Sequence, residues 1–287
     1  MARSRSSSYV TIQVSYDTSI RSSATARKFF ENFESLYPEL EFRLMGQWEP
    51  LKEKYSLERA IALWQENKAA PSRGQYGDSI FHGKVPAPFY VISRWFGTGT
   101  HPGWSDTISV MLHETFWTQE KLQDPSGRAV ELMKELAVLS TPLYGRGYAQ
   151  SEFNAKDYHE RTLPDGGVSR ESVTLTPPDG LVDLYWMNYF GKPYVRILGK
   201  ETLAEIKSTV SERVGEGYLL VLSPDPFRWN EPETRALQKA ARAVMNPEVF
   251  LDHSKSFEPR LNIPRGDQAP NSRMTSAAIC SASSGTG

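Results

Sequence analysis

Residues Leu181 to Leu203 read LVDLYWMNYFGKPYVRILGKETL. The stretch gathers Tyr185, Trp186, Tyr189, Phe190 and Tyr194 around Asn188, Gly191 and Pro193. Aromatic side chains stabilise through large buried area, and their hydroxyl and indole N–H groups need partners. No side chain in the stretch is an obvious nucleophile or metal ligand. It therefore points to packing or recognition and away from bond chemistry. Trp186 is expected to rest a ring face in the core, while Tyr185 or Tyr189 presents a hydroxyl outward.

Working outward from this stretch, strands and helices separate by period. Tyr9 to Ser15 alternates, with Val10, Ile12 and Val14 on one face and Thr11, Gln13 and Ser15 on the other, as in a half-buried strand. Ser22 to Leu36 is expected to be a helix with Ala26, Phe29, Phe30, Phe33 and Leu36 on its apolar face, ending before Pro38. Leu40 to Met45 reads as a strand. Ser56 to Asn67 reads as a helix that Ser56 would cap. Pro71 to Pro88 is turn-rich. Phe89 to Phe96 and Thr107 to Leu112 are strand candidates. Asp124 followed by Pro125 marks a helix start, and the helix runs to about Leu139. Tyr144 to Glu152 reads as a strand, Leu163 to Gly180 as a polar linker or long hairpin, and Tyr218 to Leu222 as a short apolar strand. Asn230 is expected to cap a helix from Glu231 to Met245.

The strict strand–helix–strand rhythm of a parallel sheet is missing. The expected class is therefore α+β, a largely antiparallel sheet packed with helices. Residues 1–8 and 254–287, poor in apolar side chains, read as disordered tails around one domain over 9–253, with 163–180 as the place where two halves would meet.

Composition narrows the function. The chain has 287 residues, 39% hydrophobic and 11% aromatic, with a formal net charge of -1. Each tail is net basic (Arg3 and Arg5; Lys255, Arg260, Arg265 and Arg273 against Glu258 and Asp267), which leaves an acidic body without the basic stripe that nucleic-acid binding requires. The single cysteine, Cys280, allows no intramolecular disulfide and no Cys-based zinc site. The first residues, MARSRSSSYVTIQVS, lack the apolar core of a secretory signal. No apolar run approaches the ~20 residues of a spanning helix. A cytoplasmic protein without nucleic-acid or membrane partners is expected.

Few motifs carry chemistry. Gly97, Gly99 and Gly103 resemble a phosphate loop, but the dinucleotide fingerprint needs G-x-G-x-x-G opening a helix; here the spacing is longer and Pro102 intrudes. His82, His101, His113, His159 and His253 contain no H-x-x-x-H pair, so neither a metal nor a cofactor is expected. His101, His113 and Glu114 support an alternative reading as a hydrolase site. Glu152, Asp157 and Glu160 cluster around His159, where paired carboxylates serve acid–base work only if burial separates their pKa values. Trp95, Trp104 and Trp117 fall close together. A loop Trp beside Gly and Pro, such as Trp104, reads equally as an interface anchor and as a core residue.

The phrase Leu184, Tyr185, Trp186, Asn188, Tyr189, Phe190, Gly191, Tyr194, Val195 and Gly199 resembles bacterial immunity proteins of polymorphic-toxin and type VI secretion effector systems. Leu139, Pro142, Leu143, Tyr144 and Gly145 are similar to the same group, as is the strand Gly217 to Leu222 with Pro224 after it. The resemblance spans residues 85–250. It implies a non-enzymatic α+β protein that binds a toxin made by the same cell and blocks it sterically. Under that reading Trp104, Tyr185, Tyr189, Glu152, Asp157 and Glu160 are the candidate toxin-binding residues. Oligomeric state is open.

Overall fold

A computed structural model describes residues 9–66, 76–83, 88–96, 105–119, 123–162, 166–172 and 179–251. The first strand, β1 (Tyr9–Tyr16), lies at the middle of a ten-stranded sheet. It pairs antiparallel with β6 (Asp106–His113) on one side and with β7 (Pro142–Ala149) on the other. Beyond β6 come β5 (Phe89–Phe96), β4 (Tyr76–Gly83), β2 (Phe42–Gly46) and β3 (Glu53–Lys54). Beyond β7 come β10 (Met187–Phe190), β12 (Gly217–Val221) and β11 (Val210–Val214). Every pairing in this sheet is antiparallel. The sheet includes strands from both sides of residues 163–180. A separate hairpin joins β8 (Tyr158–Thr162) to β9 (Val168–Ser172).

β1 puts its apolar residues on one face as its period requires, but it is not half-buried, because Thr11 and Ser15 on the other face are buried too. Val10, Ile12, Val14 and Tyr16 face α1 (Ser23–Leu36), α2 (Leu57–Gln65) and α4 (Pro125–Ala137), which cover one side of the sheet. Phe29, Phe30 and Phe33 of α1 meet Phe42, Trp64 and Phe81 edge-to-face or tilted, and Phe33 stacks on Phe89. Each large side chain buried there stabilises by roughly 1.5–3 kcal/mol. The Trp64 indole N–H donates to the Ile20 carbonyl at 2.9 Å, so its burial leaves no orphan donor. Ser22 caps α1 by accepting from the Thr25 N–H, and Asp124 caps α4 by accepting from the Gly127 N–H at 2.9 Å. α3 (Thr115–Thr118) follows β6 directly.

A second core lies against the other face of the sheet at the β7–β10–β12 end. It is closed by α6 (Lys192–Leu198), α7 (Lys200–Glu205) and α8 (Pro232–Val244). β10 therefore has no solvent face: Met187 and Tyr189 enter the first core, and Phe190 enters the second. This double burial explains the density of aromatic residues around it. The backbone of Leu181 brackets the chain near Phe250, donating to Val249 at 2.7 Å and accepting from Leu251 at 2.8 Å.

Several local expectations are corrected. The strand expected over Tyr144 to Glu152 ends at Ala149, and α5 (Gln150–Lys156) begins there, so Glu152 is helical. The turn-rich segment before Pro88 contains β4, whose residues Ser79 and Phe81 face the first core. Ser56 occupies the cap position of α2 without a side-chain bond, and Glu231, not Asn230, occupies that of α8. Residues 1–8 and 252–287 lie outside the described residues, as do the loop Gly97 to Gly103, His101 and Trp104.

Candidate functional site

Three of the sequence-predicted residues, Glu152, Asp157 and Tyr185, converge on one buried polar network. β7 sends Arg146 to the side of the sheet opposite the helices α1 and α4. Its guanidinium donates to Gln13 Oε1 at 3.1 Å, to Asp157 Oδ1 at 3.3 Å and to the Tyr185 hydroxyl at 3.0 Å. It also lies over the rings of Tyr148, Phe153 and Tyr185, 5.1 to 5.3 Å from their centroids. The Tyr185 hydroxyl in turn donates to Asp157 Oδ2.

The other half of the network spans one turn of α5. Lys156 Nζ donates to Glu152 Oε1 at 2.7 Å, to Gln238 Oε1 of α8 at 3.2 Å and to the Leu184 carbonyl. Glu152 also accepts from Gln238 Nε2 at 3.0 Å and from the Trp186 backbone N–H at 3.1 Å. Asn188 closes the segment locally: its side-chain oxygen accepts from the Tyr185 N–H and the Tyr144 hydroxyl, both at 3.0 Å, and its amide donates to the Tyr185 carbonyl at 2.8 Å. Four segments, β7, α5, residues 181–188 and α8, are thus tied by side chains rather than by sheet hydrogen bonds.

Burial dominates the electrostatics. Glu152 has a relative exposure of 0% and Asp157 of 3%. Desolvation pushes both carboxyls above their ordinary pKa, against the pull of Lys156 on Glu152 and of Arg146 on Asp157. Burial likewise pushes the Tyr185 hydroxyl well up. Acid–base catalysis needs a carboxyl within reach of a substrate proton. Glu152 is wholly covered and both its oxygens are bonded within the protein, so the arrangement holds segments together rather than presenting an acid.

The expected outward hydroxyls are not found. Tyr185 is 1% exposed and bonded as above; Tyr189 is also 1% exposed and donates to the Val214 carbonyl at 3.1 Å. Glu160 lies in β8, in register with Arg170 of β9. His113, at the end of β6, packs its ring edge-on against Tyr9 and bonds Thr115 Oγ1 through Nδ1 at 2.9 Å. Glu114 follows it at the cap position of α3. Among the described residues no group of three or more His, Cys, Asp or Glu side chains is placed to hold a metal ion. No helix among them is long and apolar enough to cross a membrane.

Arg146, Lys156 and Gln238 were not singled out in the sequence. The Glu152–Lys156 spacing of four residues was a readable sign; Arg146 and Gln238 join only through the fold. The surface holds Phe227, which the sequence did not single out and which is 37% exposed beside Trp117, and Trp229 nearby in the chain is half-buried.

No protein-family model matches the chain, and no curated protein matches it. Among solved structures the fold is similar to that of a Pseudomonas aeruginosa T6SS protein. The likeness has a TM-score of 0.53 and covers 89% of this chain and 78% of that one at 12% sequence identity. At that identity it is the fold that is shared.

Proposed function

We propose that the protein is an immunity protein of a type VI secretion system, which binds a cognate toxin effector and neutralises it by steric blockade. The observation that carries the reading is the fold shared with a T6SS protein over 89% of the chain. The phrase from Leu184 to Gly199, with its resemblance to immunity proteins, supports it independently. So does the buried network, which turns the most suggestive carboxylates into structural ties. In this reading the chain performs no bond chemistry, works in the cytoplasm and needs no cofactor. Its acidic body favours encounter with a basic toxin, because complementary fields raise association rates and suppress wrong partners.

The test is co-expression. The C-terminal domain encoded by the adjacent toxin-like gene is induced in a sensitive host with and without this protein. Rescue with co-purification is the expected outcome. Continued killing by a toxin shown to be active, with both proteins expressed, removes the reading. A His113→Ala variant should rescue as well as the wild type, whereas a hydrolase using His113 would lose its effect.

A further inference from the structure

At the end of the sheet where β1 begins and β6 and β7 finish, three aromatic side chains reach the surface together. Trp117 of α3 meets Phe227 edge-on, with centroids 5.9 Å apart and planes at 86°. Trp229 follows as the C-cap of the short 3-10 turn Pro226–Arg228 that carries Phe227. Both indole N–H groups have partners. Trp117 donates to Ser126 Oγ at 3.2 Å, and Trp229 donates to Ser151 Oγ at 3.0 Å. The rings are therefore held in place with their polar atoms satisfied. Phe227 is fixed from behind, its N–H donating to Asp225 Oδ1 at 2.7 Å. A rigid aromatic cluster of this kind loses little side-chain entropy when a partner covers it.

The surroundings are acidic. Arg228 is bonded to Glu231 at 2.7 Å, and Asp225 and Glu233 also lie close enough to stabilise its charge. Lys156, whose Nζ sits 5.9 Å from the Trp229 ring, is already paired with Glu152. Glu114 precedes α3, which carries Trp117, and Asp124 caps α4, which carries its partner Ser126. An aromatic centre with a charged rim is the composition of an interface hot spot.

The geometry points to the Trp117–Phe227–Trp229 surface as the docking site for a basic protein partner, one that lays an apolar side chain against Phe227 inside a ring of Lys or Arg. The inference rests on the immunity reading for the partner's identity, the toxin. It adds the face that is used and the chemistry of the toxin surface that covers it. The face lies beside the buried network, since Lys156 joins Glu152 beneath Trp229. That network would keep the turn carrying Phe227 from shifting against α5.

The test uses the full chain and the purified C-terminal domain encoded by the adjacent toxin-like gene, titrated by calorimetry. Phe227→Asp should weaken binding at least about tenfold, the loss expected of a central anchor. Glu233→Lys should weaken it less, and mainly at low salt, where rim charges act. Trp48→Ala, which removes a more exposed ring from the β2–β3 turn, should leave binding unchanged. Circular dichroism and thermal melting confirm that each variant is folded. Wild-type binding that Phe227→Asp and Glu233→Lys do not alter overturns the docking surface and leaves the immunity reading standing. Equal weakening by Trp48→Ala also overturns it. Absence of wild-type binding to an active toxin domain overturns both.

Discussion

Lys156 and Glu152 stand one turn apart on α5, joined Nζ to Oε1 at 2.7 Å, and the glutamate carrying this ion pair is completely buried. A buried pair stabilises little relative to a well-packed apolar pair, but breaking it leaves a charge with no partner. Glu152→Ala removes the acceptor for Lys156, for Gln238 and for the Trp186 N–H at once. It should destabilise the protein by about 3–5 kcal/mol in urea denaturation. A loss below about 1 kcal/mol would mean that the network is dispensable.

The sign of the pH dependence follows from burial. Glu152 and Asp157 have folded pKa values raised above those of the unfolded chain. The native state therefore holds extra protons in the window above the ordinary carboxylate range of about 4. The stability these groups contribute is present below that range and is lost as pH rises through their raised values. Glu152→Gln cannot titrate. Measured in urea at about pH 4, 5.5 and 7, the wild type should lose ground to Glu152→Gln as pH rises. A wild type that gains on the variant instead would reverse the assignment of burial as the dominant cause.

Tyr185→Phe isolates one hydroxyl, the one that accepts from Arg146 and donates to Asp157. Removing it should destabilise by about 1–3 kcal/mol, because its partners stay buried. Toxin affinity, measured at a temperature where the variant is folded, should not change. A loss of affinity without a loss of stability would return Tyr185 to the role of a contact residue.

Gly191 opens α6 at an ordinary extended backbone geometry, so space rather than φ demands glycine. A Cβ there would sit 2.0 Å from the Pro142 carbonyl oxygen and 2.7 Å from that of Leu143. These are backbone atoms of β7 that cannot turn aside. Gly191→Ala should therefore lower stability by about 1–3 kcal/mol or more, seen as a reduced thermal midpoint. A melting curve like that of the wild type would show that β7 and α6 can separate freely.

Much of the first core was legible from periodicity. Val10, Ile12 and Val14 alternate, Phe29, Phe30 and Phe33 share one helical face, and Asp124 with Pro125 announces α4. These signals are local, because strand and helix periods put residues close in sequence on one face. β4, α5 and the β2–β3 turn were less visible. Their polar residues answer to neighbours far along the chain, such as Ser79, which bonds the Leu63 carbonyl at 3.0 Å. The candidate contact residues show the same limit. Tyr185 and Tyr189 look alike in sequence, yet one joins a buried ion network and the other a helix-covered core.

The sequence by itself determined the α+β class, the main helices with the Asp124 start of α4, and the absence of a familiar catalytic phrase, since all of these rest on short-range spacing. Tertiary structure alone decided that the aromatic stretch runs between two cores. It also decided that Arg146 of β7 pairs with Asp157 at the end of α5, and that Trp117 meets Phe227 at the surface. Those relations join residues from 11 to more than a hundred positions apart, on different elements of the fold. They arise only when closing the sheet excludes water from one set of side chains and leaves another in contact with it.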